Sequence, residues 1–207
     1  MKTPVGILIS GRGSDAMALI EAAKADDYPA RIVLVLSNNP AAPGLEKAAA
    51  AGIPTLAIDH RPYGKDRAAH ERAIDAALRE AGVSFVALAG YMRILTPWLV
   101  ETWSGRMINV HPALLPSFTG LDTHRRALEA GVKLHGCSVH WVTLGVDEGP
   151  LIGQAAVPVL AGDHPDTLGA RVLAAEHRLY PACLAAAIRG EARAPEADAV
   201  MANPALD

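Results

Sequence analysis

Unbroken apolar runs alternate along the chain with stripes of apolar residues spaced as on a helix. Residues 5–9 are a continuous apolar run, the mark of a strand covered on both faces. The turn Ser10-Gly11-Arg12-Gly13-Ser14-Asp15 follows, then a helical stretch that turns Leu19, Ile20 and Ala23 inward. The same pattern predicts strands over 32–36 and 55–58, separated by a short helix over 44–51 that Gly52 closes. A helix over 65–81 carries Ile74, Ala77 and Leu78 as its apolar stripe and stops at Gly82. Residues 85–89 hold no polar side chain, so that strand is expected at the centre of the sheet. A short helix from Pro97, a strand over 108–110 and a helix over 121–130 come next. Strands over 137–143 and 151–159 and a long helix over 166–188, kinked by Pro181, complete the order.

Strands that alternate with helices build βαβ units. The expected fold class is therefore α/β, a Rossmann-like, mostly parallel sheet with helices on both faces. No repeat or linker divides the chain, so a single domain is expected over 1–190, with 191–207 as a loosely ordered tail.

Composition narrows the partners. A chain of 207 residues is long enough for one sizeable core. Its 22 acidic and 19 basic residues give a net charge of −3 without any Lys/Arg block, which disfavours binding to nucleic acid. Cys137 and Cys183 are far apart, so a reducing compartment is expected and a disulfide framework is not. The apolar run near the N-terminus is too short for a signal peptide or a membrane span, and a cytoplasmic protein with no membrane partner is expected.

Candidate chemistry centres on residues 107–120. A strand alternates its side chains, so Asn109 and His111 share a side, just before Pro112 stops the ladder. They offer a neutral amide donor and a group that exchanges protons near neutral pH. The bland alternative is a His that caps a strand and an Asn that satisfies loop backbone. Asp147, in the Gly/Pro loop between the last two strands, would favour the imidazolium form of a neighbouring His111 and make it an acid able to donate to an oxyanion. Asp147 could equally belong to an ordinary turn.

Gly11-x-Gly13-x-x-Ala16 between a strand and a helix fits an anion-holding turn. A dinucleotide site would want an acid after the second strand, where this chain has Ser37-Asn38-Asn39, so a phosphorylated small molecule is favoured over NAD. A turn needed only for packing remains open. His135, Cys137 and His140 suggest a metal, but strand alternation sends His140 to the opposite face, so no metal is expected. Glu176 interrupts the apolar stripe of the last helix; either it meets a partner or ligand hydroxyl, or it sits at the edge of the stripe.

Six blocks together resemble a known family. They are Ile9-Ser10-Gly11-Arg12-Gly13-Ser14, Leu88-Ala89-Gly90-Tyr91-Met92-Arg93-Ile94-Leu95, Ile108-Asn109-Val110-His111-Pro112-Ala113-Leu114-Leu115-Pro116, Gly120-Leu121-Asp122-Thr123-His124, His135-Gly136-Cys137-Ser138-Val139-His140 and Asp147-Glu148-Gly149-Pro150-Leu151-Ile152. Over about 5–188 the chain is similar to the small, folate-dependent phosphoribosylglycinamide formyltransferases of purine synthesis. The resemblance implies the formyltransferase type of fold and transfer of a formyl group from 10-formyltetrahydrofolate, the co-substrate, to the glycinamide amine of 5′-phosphoribosylglycinamide. The products would be formylglycinamide ribonucleotide and tetrahydrofolate, reached through a tetrahedral oxyanion without a covalent enzyme intermediate.

It also implies roles. Asn109, His111 and Asp147 would be catalytic; Gly13, Ser14 and Asp15 would hold the phosphate and Glu176 the ribose. Met92, Arg93, Ile94 and Leu95 would line the folate pocket with Asn109, and Arg67 would lie near the folate. The partners would be these small molecules, with the protein a monomer or homodimer. The sequence departs from the family at Asp15, where Asn is usual, and at Ser117, where relatives often carry a basic residue. A formyltransferase for another amine, a formyltetrahydrofolate hydrolase, and a non-catalytic nucleotide-binding module remain as other readings.

Overall fold

The computed structural model describes residues 1–191, and the expected tail beyond them lies outside the described residues. Seven strands form one sheet: β1 (Thr3–Ile9), β2 (Ala30–Ser37), β3 (Thr55–Ala57), β4 (Phe85–Leu88), β5 (Met107–His111), β6 (Leu134–Trp141) and β7 (Leu151–Pro158). Their spatial order is β3-β2-β1-β4-β5-β6-β7. The first five pair in parallel, and β6 and β7 add antiparallel partners beyond β5. Helices α1 (Ser14–Ala22), α2 (Pro43–Ala50), α3 (Arg67–Glu80), α4 (Pro97–Thr102), α5 (Thr123–Glu129) and α6 (Pro165–Arg189) cover it.

Period-two alternation in the strands feeds two cores. Val5, Ile7 and Ile9 of β1 pack with α1, α2 and α6 on one face, while Leu8 joins Ile74 and Leu78 of α3 and Trp103 after α4 on the other. The expected α/β sheet with helices on both faces is the observed one. Strand β4, buried along its whole length, is its middle member, as its lack of polar side chains predicts. Ile74 and Leu78 are fully buried, and truncating either to Ala would cost about 2–5 kcal/mol.

Some boundaries differ from the sequence pattern for local reasons. Helix α3 begins at Arg67 because the Asp66 side chain accepts from Ala69 N at 2.9 Å, an N-cap that excludes residues 65 and 66. Helix α5 begins at Thr123, since Asp122 adopts a left-handed conformation with φ 56°. Strand β6 starts earlier than expected, at Leu134, where pairing to Pro158 of β7 begins. Helix α6 runs through Pro181 as one element, and its carboxyl-terminal half is fastened to the sheet. There the buried Tyr180 hydroxyl donates to the Leu88 carbonyl at 2.8 Å, so Tyr180 tethers the end of β4.

The chain leaves β1 towards β2 and β3, then returns to place β4 on the other side of β1. Such a reversal opens a crevice at the carboxyl ends of the strands. Ser10 N donates to Gly90 O at 3.1 Å, and Leu88 lies in register with Asn109, so the ends of β1, β4 and β5 stand side by side. No helix of the described residues is long and apolar enough to cross a membrane.

Candidate active site

The end of β5 carries Asn109 and the buried His111, on the same side as their spacing requires. Asp147 reaches them from the β6–β7 loop: its Oδ2 lies 3.3 Å from His111 Nδ1. The other ring nitrogen, Nε2, donates to the Phe118 carbonyl at 2.9 Å. Each nitrogen thus faces an acceptor, an arrangement that a doubly protonated imidazolium satisfies. Asp147 Oδ2 also accepts the Gly120 N–H at 2.9 Å, tying the loop after β5 to the loop after β6.

These loops hold unusual backbone. Phe118 and Asp147 sit at φ 56° and 58°, conformations that side-chain-bearing residues seldom adopt and that cost on the order of 1 kcal/mol each. The strain is supported by close packing. Gly149 can only be glycine, since a Cβ there would lie 1.7 Å from the Trp141 carbonyl oxygen. The stretch after His111 is pinned by Ser138, which donates to Ala113 O at 2.7 Å and accepts from Leu115 N at 3.0 Å. Gln154 Nε2 reaches Leu115 O at 2.9 Å, and the Leu115–Pro116 peptide bond is cis.

His140 joins the set, although its spacing in the sequence suggests only a metal ligand. Antiparallel register sets it opposite Asn109. Its Nδ1 lies 2.9 Å from the Trp141 carbonyl, which can only accept, so Nδ1 carries the proton. The bare Nε2 then accepts from Asn109 Nδ2 at 3.2 Å and orients that amide. Burial holds His140 below the ordinary histidine range, against the opposing pull of the Trp141 carbonyl and of Asp147, whose Oδ1 is 3.8 Å away. His140 therefore stays neutral at neutral pH. His135, on the other face of β6 as its spacing predicts, pairs with His124 at 3.2 Å. Among the described residues no group of three or more His, Cys, Asp or Glu side chains is placed to hold a metal ion.

The turn after β1 fits an anion. Gly13 is the N-cap of α1 at φ 67° and packs so closely on α2 that a Cβ would come 2.9 Å from Gly44 Cα. No side chain caps this helix, leaving the N–H groups of its first turn, from Ser14 and Asp15, unclaimed by a cap. The Asp15 carboxylate is directed at α6, where Oδ1 lies 3.7 Å from His177 Nε2. Burial raises its pKa and His177 opposes the rise. Glu176 proves buried rather than at the edge of its stripe: burial pushes its carboxyl up to about 8, with Asp15 adding to the rise.

The loop after β4 is fit for an apolar ligand. Met92 and Ile94 are 66% and 64% exposed beside the buried site, while Tyr91 and Leu95 pack on the core below. Arg67 Nη1 contacts the Ile94 carbonyl at 3.5 Å, which brings Arg67 to this loop. The structure thus gathers Asn109, His111 and Asp147 directly, sets Gly13–Asp15 at the start of α1 beside Glu176 in the middle of α6, and brings Arg67 at the start of α3 to residues 92–95.

The chain is also similar over most of its length to known proteins. Residues 4–184 match the family described as formyl transferase, a span that includes every candidate site residue. The chain is 45% identical over 175 residues to the phosphoribosylglycinamide formyltransferase of Escherichia coli strain K12, covering 84% of this chain and 82% of that protein. It is 48% identical over 195 residues to the trifunctional purine biosynthetic protein adenosine-3 of Bos taurus, covering 94% of this chain but only 19% of that protein; the chain thus spans about a fifth of this longer relative. Among solved structures, the phosphoribosylglycinamide formyltransferase of Brucella melitensis superposes with a TM-score of 0.86 at 51% identity, covering 94% of this chain and 98% of that one. The glycinamide ribonucleotide transformylase 1 of Symbiobacterium toebii gives 0.88 at 43% identity, covering 91% and 89%.

Proposed function

This chain belongs to the formyl transferase family, and on that premise we propose that it passes a formyl group from 10-formyltetrahydrofolate to the glycinamide amine of 5′-phosphoribosylglycinamide, within purine synthesis. The observation that carries the reading is the contact of His111 with Asp147 beside Asn109, between an uncapped glycine turn and an exposed apolar loop.

The formyl donor brings an activated one-carbon group; the chain's own residues place and polarise it. Met92 and Ile94 offer apolar surface for a flat pterin, and Arg67 a charge beside it. The N–H groups of Ser14 and Asp15 would take the ribonucleotide phosphate. Glu176, whose carboxyl burial pushes up to about 8, would meet the ribose hydroxyls in its protonated form at neutral pH.

Attack of the amine on the formyl carbon forms one C–N bond and breaks the bond to the donor nitrogen, with negative charge gathering on the formyl oxygen. Asn109 has a second amide hydrogen free of His140 to donate there. His111 supplies a cationic donor once its Nε2–H leaves the Phe118 carbonyl, and Asp147 holds the charge on the ring. His111 can then yield a proton to the departing nitrogen and recover one from the attacking amine, so that the proton count closes. No side chain needs to bond covalently to the formyl group. In this reading 1–190 is a single catalytic domain.

The test is turnover of a 10-formyl folate with and without glycinamide ribonucleotide. Deformylation that depends on the ribonucleotide is expected. Deformylation without it would make the chain a hydrolase, and none in either case would leave a nucleotide-binding module.

A further inference from the structure

We propose that Glu71 is a positioning residue for the formyl-donor pocket, fixing the far end of loop 91–95 by accepting both polar hydrogens of Thr96. The inference rests on the reading of that loop as the wall of the donor site. Glu71 is a carboxylate 3% exposed, on a helix that contributes no atom to the catalytic set. Its Oε1 accepts the Thr96 N–H at 2.9 Å, and its Oε2 accepts the Thr96 hydroxyl.

The contact is one step of a regular series. Residues at i, i+4 and i+8 share one edge of a helix, and here Arg67, Glu71 and Asp75 all face the segment that follows β4. Arg67 Nη1 contacts Ile94 O, Glu71 takes Thr96, and Asp75 Oδ1 accepts from Trp103 Nε1 at 3.0 Å. The near end of the same loop is anchored just after β1, where Ser10 Oγ accepts from Met92 N at 2.8 Å. Between the two anchors the exposed Met92 and Ile94 side chains project. The loop is therefore a span held at both ends, with its ligand-facing residues in the middle.

Thr96 is the N-cap of α4, and a threonine there usually turns its hydroxyl onto the helix's own first N–H groups. It makes no such bond, and its hydroxyl points to Glu71 instead. The helix gives up its local cap for a tertiary contact. A buried carboxylate is an expensive way to fill space, because it needs donors that an apolar side chain would not. What it adds is a defined place for the Thr96 backbone, and thus for residues 92–95 immediately before it.

Steady-state kinetics on the full chain, varying each substrate in turn, tests this. Glu71→Ala removes both acceptors; the KM for 10-formyl folate should rise about tenfold or more, equivalent to about 1.4 kcal/mol, while the ribonucleotide KM stays within about twofold. Glu71→Gln should recover most of the donor affinity, because its amide oxygen still accepts the Thr96 N–H and the hydroxyl can rotate to accept from the amide nitrogen. A folded Glu71→Ala protein with both KM values unchanged, or both raised alike, overturns the proposal. If that variant does not fold, Thr96→Val carries the same test: a donor KM raised about threefold, or roughly 0.7 kcal/mol, supports it and an unchanged one overturns it. Titration of the wild-type chain with 10-formyl folate separates the two levels. No binding there defeats the donor-pocket reading itself, whereas normal binding that Glu71→Ala leaves equally tight defeats only the role of Glu71.

Discussion

Asp147 Oδ2 lies 3.3 Å from His111 Nδ1 and accepts the Gly120 N–H at 2.9 Å, so one carboxylate oxygen both faces the His111 ring and ties down the loop beside it. Charge support and loop geometry are therefore joined in a single residue, held in a strained left-handed conformation. Substitutions that keep the shape but remove the charge can separate the two contributions.

Asp147→Asn keeps an oxygen that can accept from Gly120 and removes the negative charge beside His111. We expect kcat to fall with little change in melting temperature, since the proposed cationic donor loses its partner while the tie to Gly120 is kept. A lower melting temperature with normal turnover would assign Asp147 to loop shape alone.

His111→Ala removes the proposed donor to developing charge, a ring whose polar contacts are Phe118 and Asp147 and not the glycine turn. Loss of one such donor is worth about 3–4 kcal/mol, a fall in kcat of roughly a hundredfold to a thousandfold. The ribonucleotide KM should change little. Near-native turnover would remove His111 from the reaction.

Asp15→Asn tests the departure at the glycine turn proposed to hold the phosphate. Two unit charges about 6 Å apart at an effective dielectric near 20 repel by on the order of 3 kcal/mol, which would spoil phosphate binding if the carboxylate faced the anion. The carboxylate is turned towards His177 instead. Ribonucleotide affinity should thus improve by less than about tenfold, or roughly 1.4 kcal/mol, in a direct titration. A gain of about a hundredfold, near 3 kcal/mol, would mean that the carboxylate meets the phosphate.

Glu176→Gln should raise the ribonucleotide KM and leave the donor KM unchanged, because an amide cannot reproduce both the acceptor pattern and the proton of a buried carboxyl. A lower melting temperature with normal KM values would make Glu176 a structural residue only.

Stability should fall in mild acid through His135. Burial, with His124 beside it, holds this ring down to about 4, below its unfolded value near 6.5. The unfolded chain therefore binds the proton first. The contribution of His135 is present above about pH 6.5 and is lost as pH falls towards about 4. Denaturant melts across this range should show a steeper acid loss for the wild type than for His135→Gln. Parallel curves would show that His135 does not set the slope.

The sequence by itself determined what depends on short-range periodicity. An all-apolar run put β4 at the centre of the sheet, period-two alternation put Asn109 and His111 on one side, and the glycine spacing predicted an open helix start after β1. These follow from backbone geometry that every strand and helix shares. Contacts between distant segments were decided only by tertiary packing. Whether Asp147 was a turn residue or the partner of His111 depended on how the β6–β7 loop folds back over the loop that follows β5. His140 stands opposite Asn109 because of an antiparallel register, which no local spacing encodes. Glu176 could have sat at the edge of its stripe, and it is the packing of α6 against α1 that buries it near Asp15. Side-chain direction is written in the chain at intervals of two or of about 3.6 residues, whereas the partner a side chain meets depends on how whole elements settle against one another.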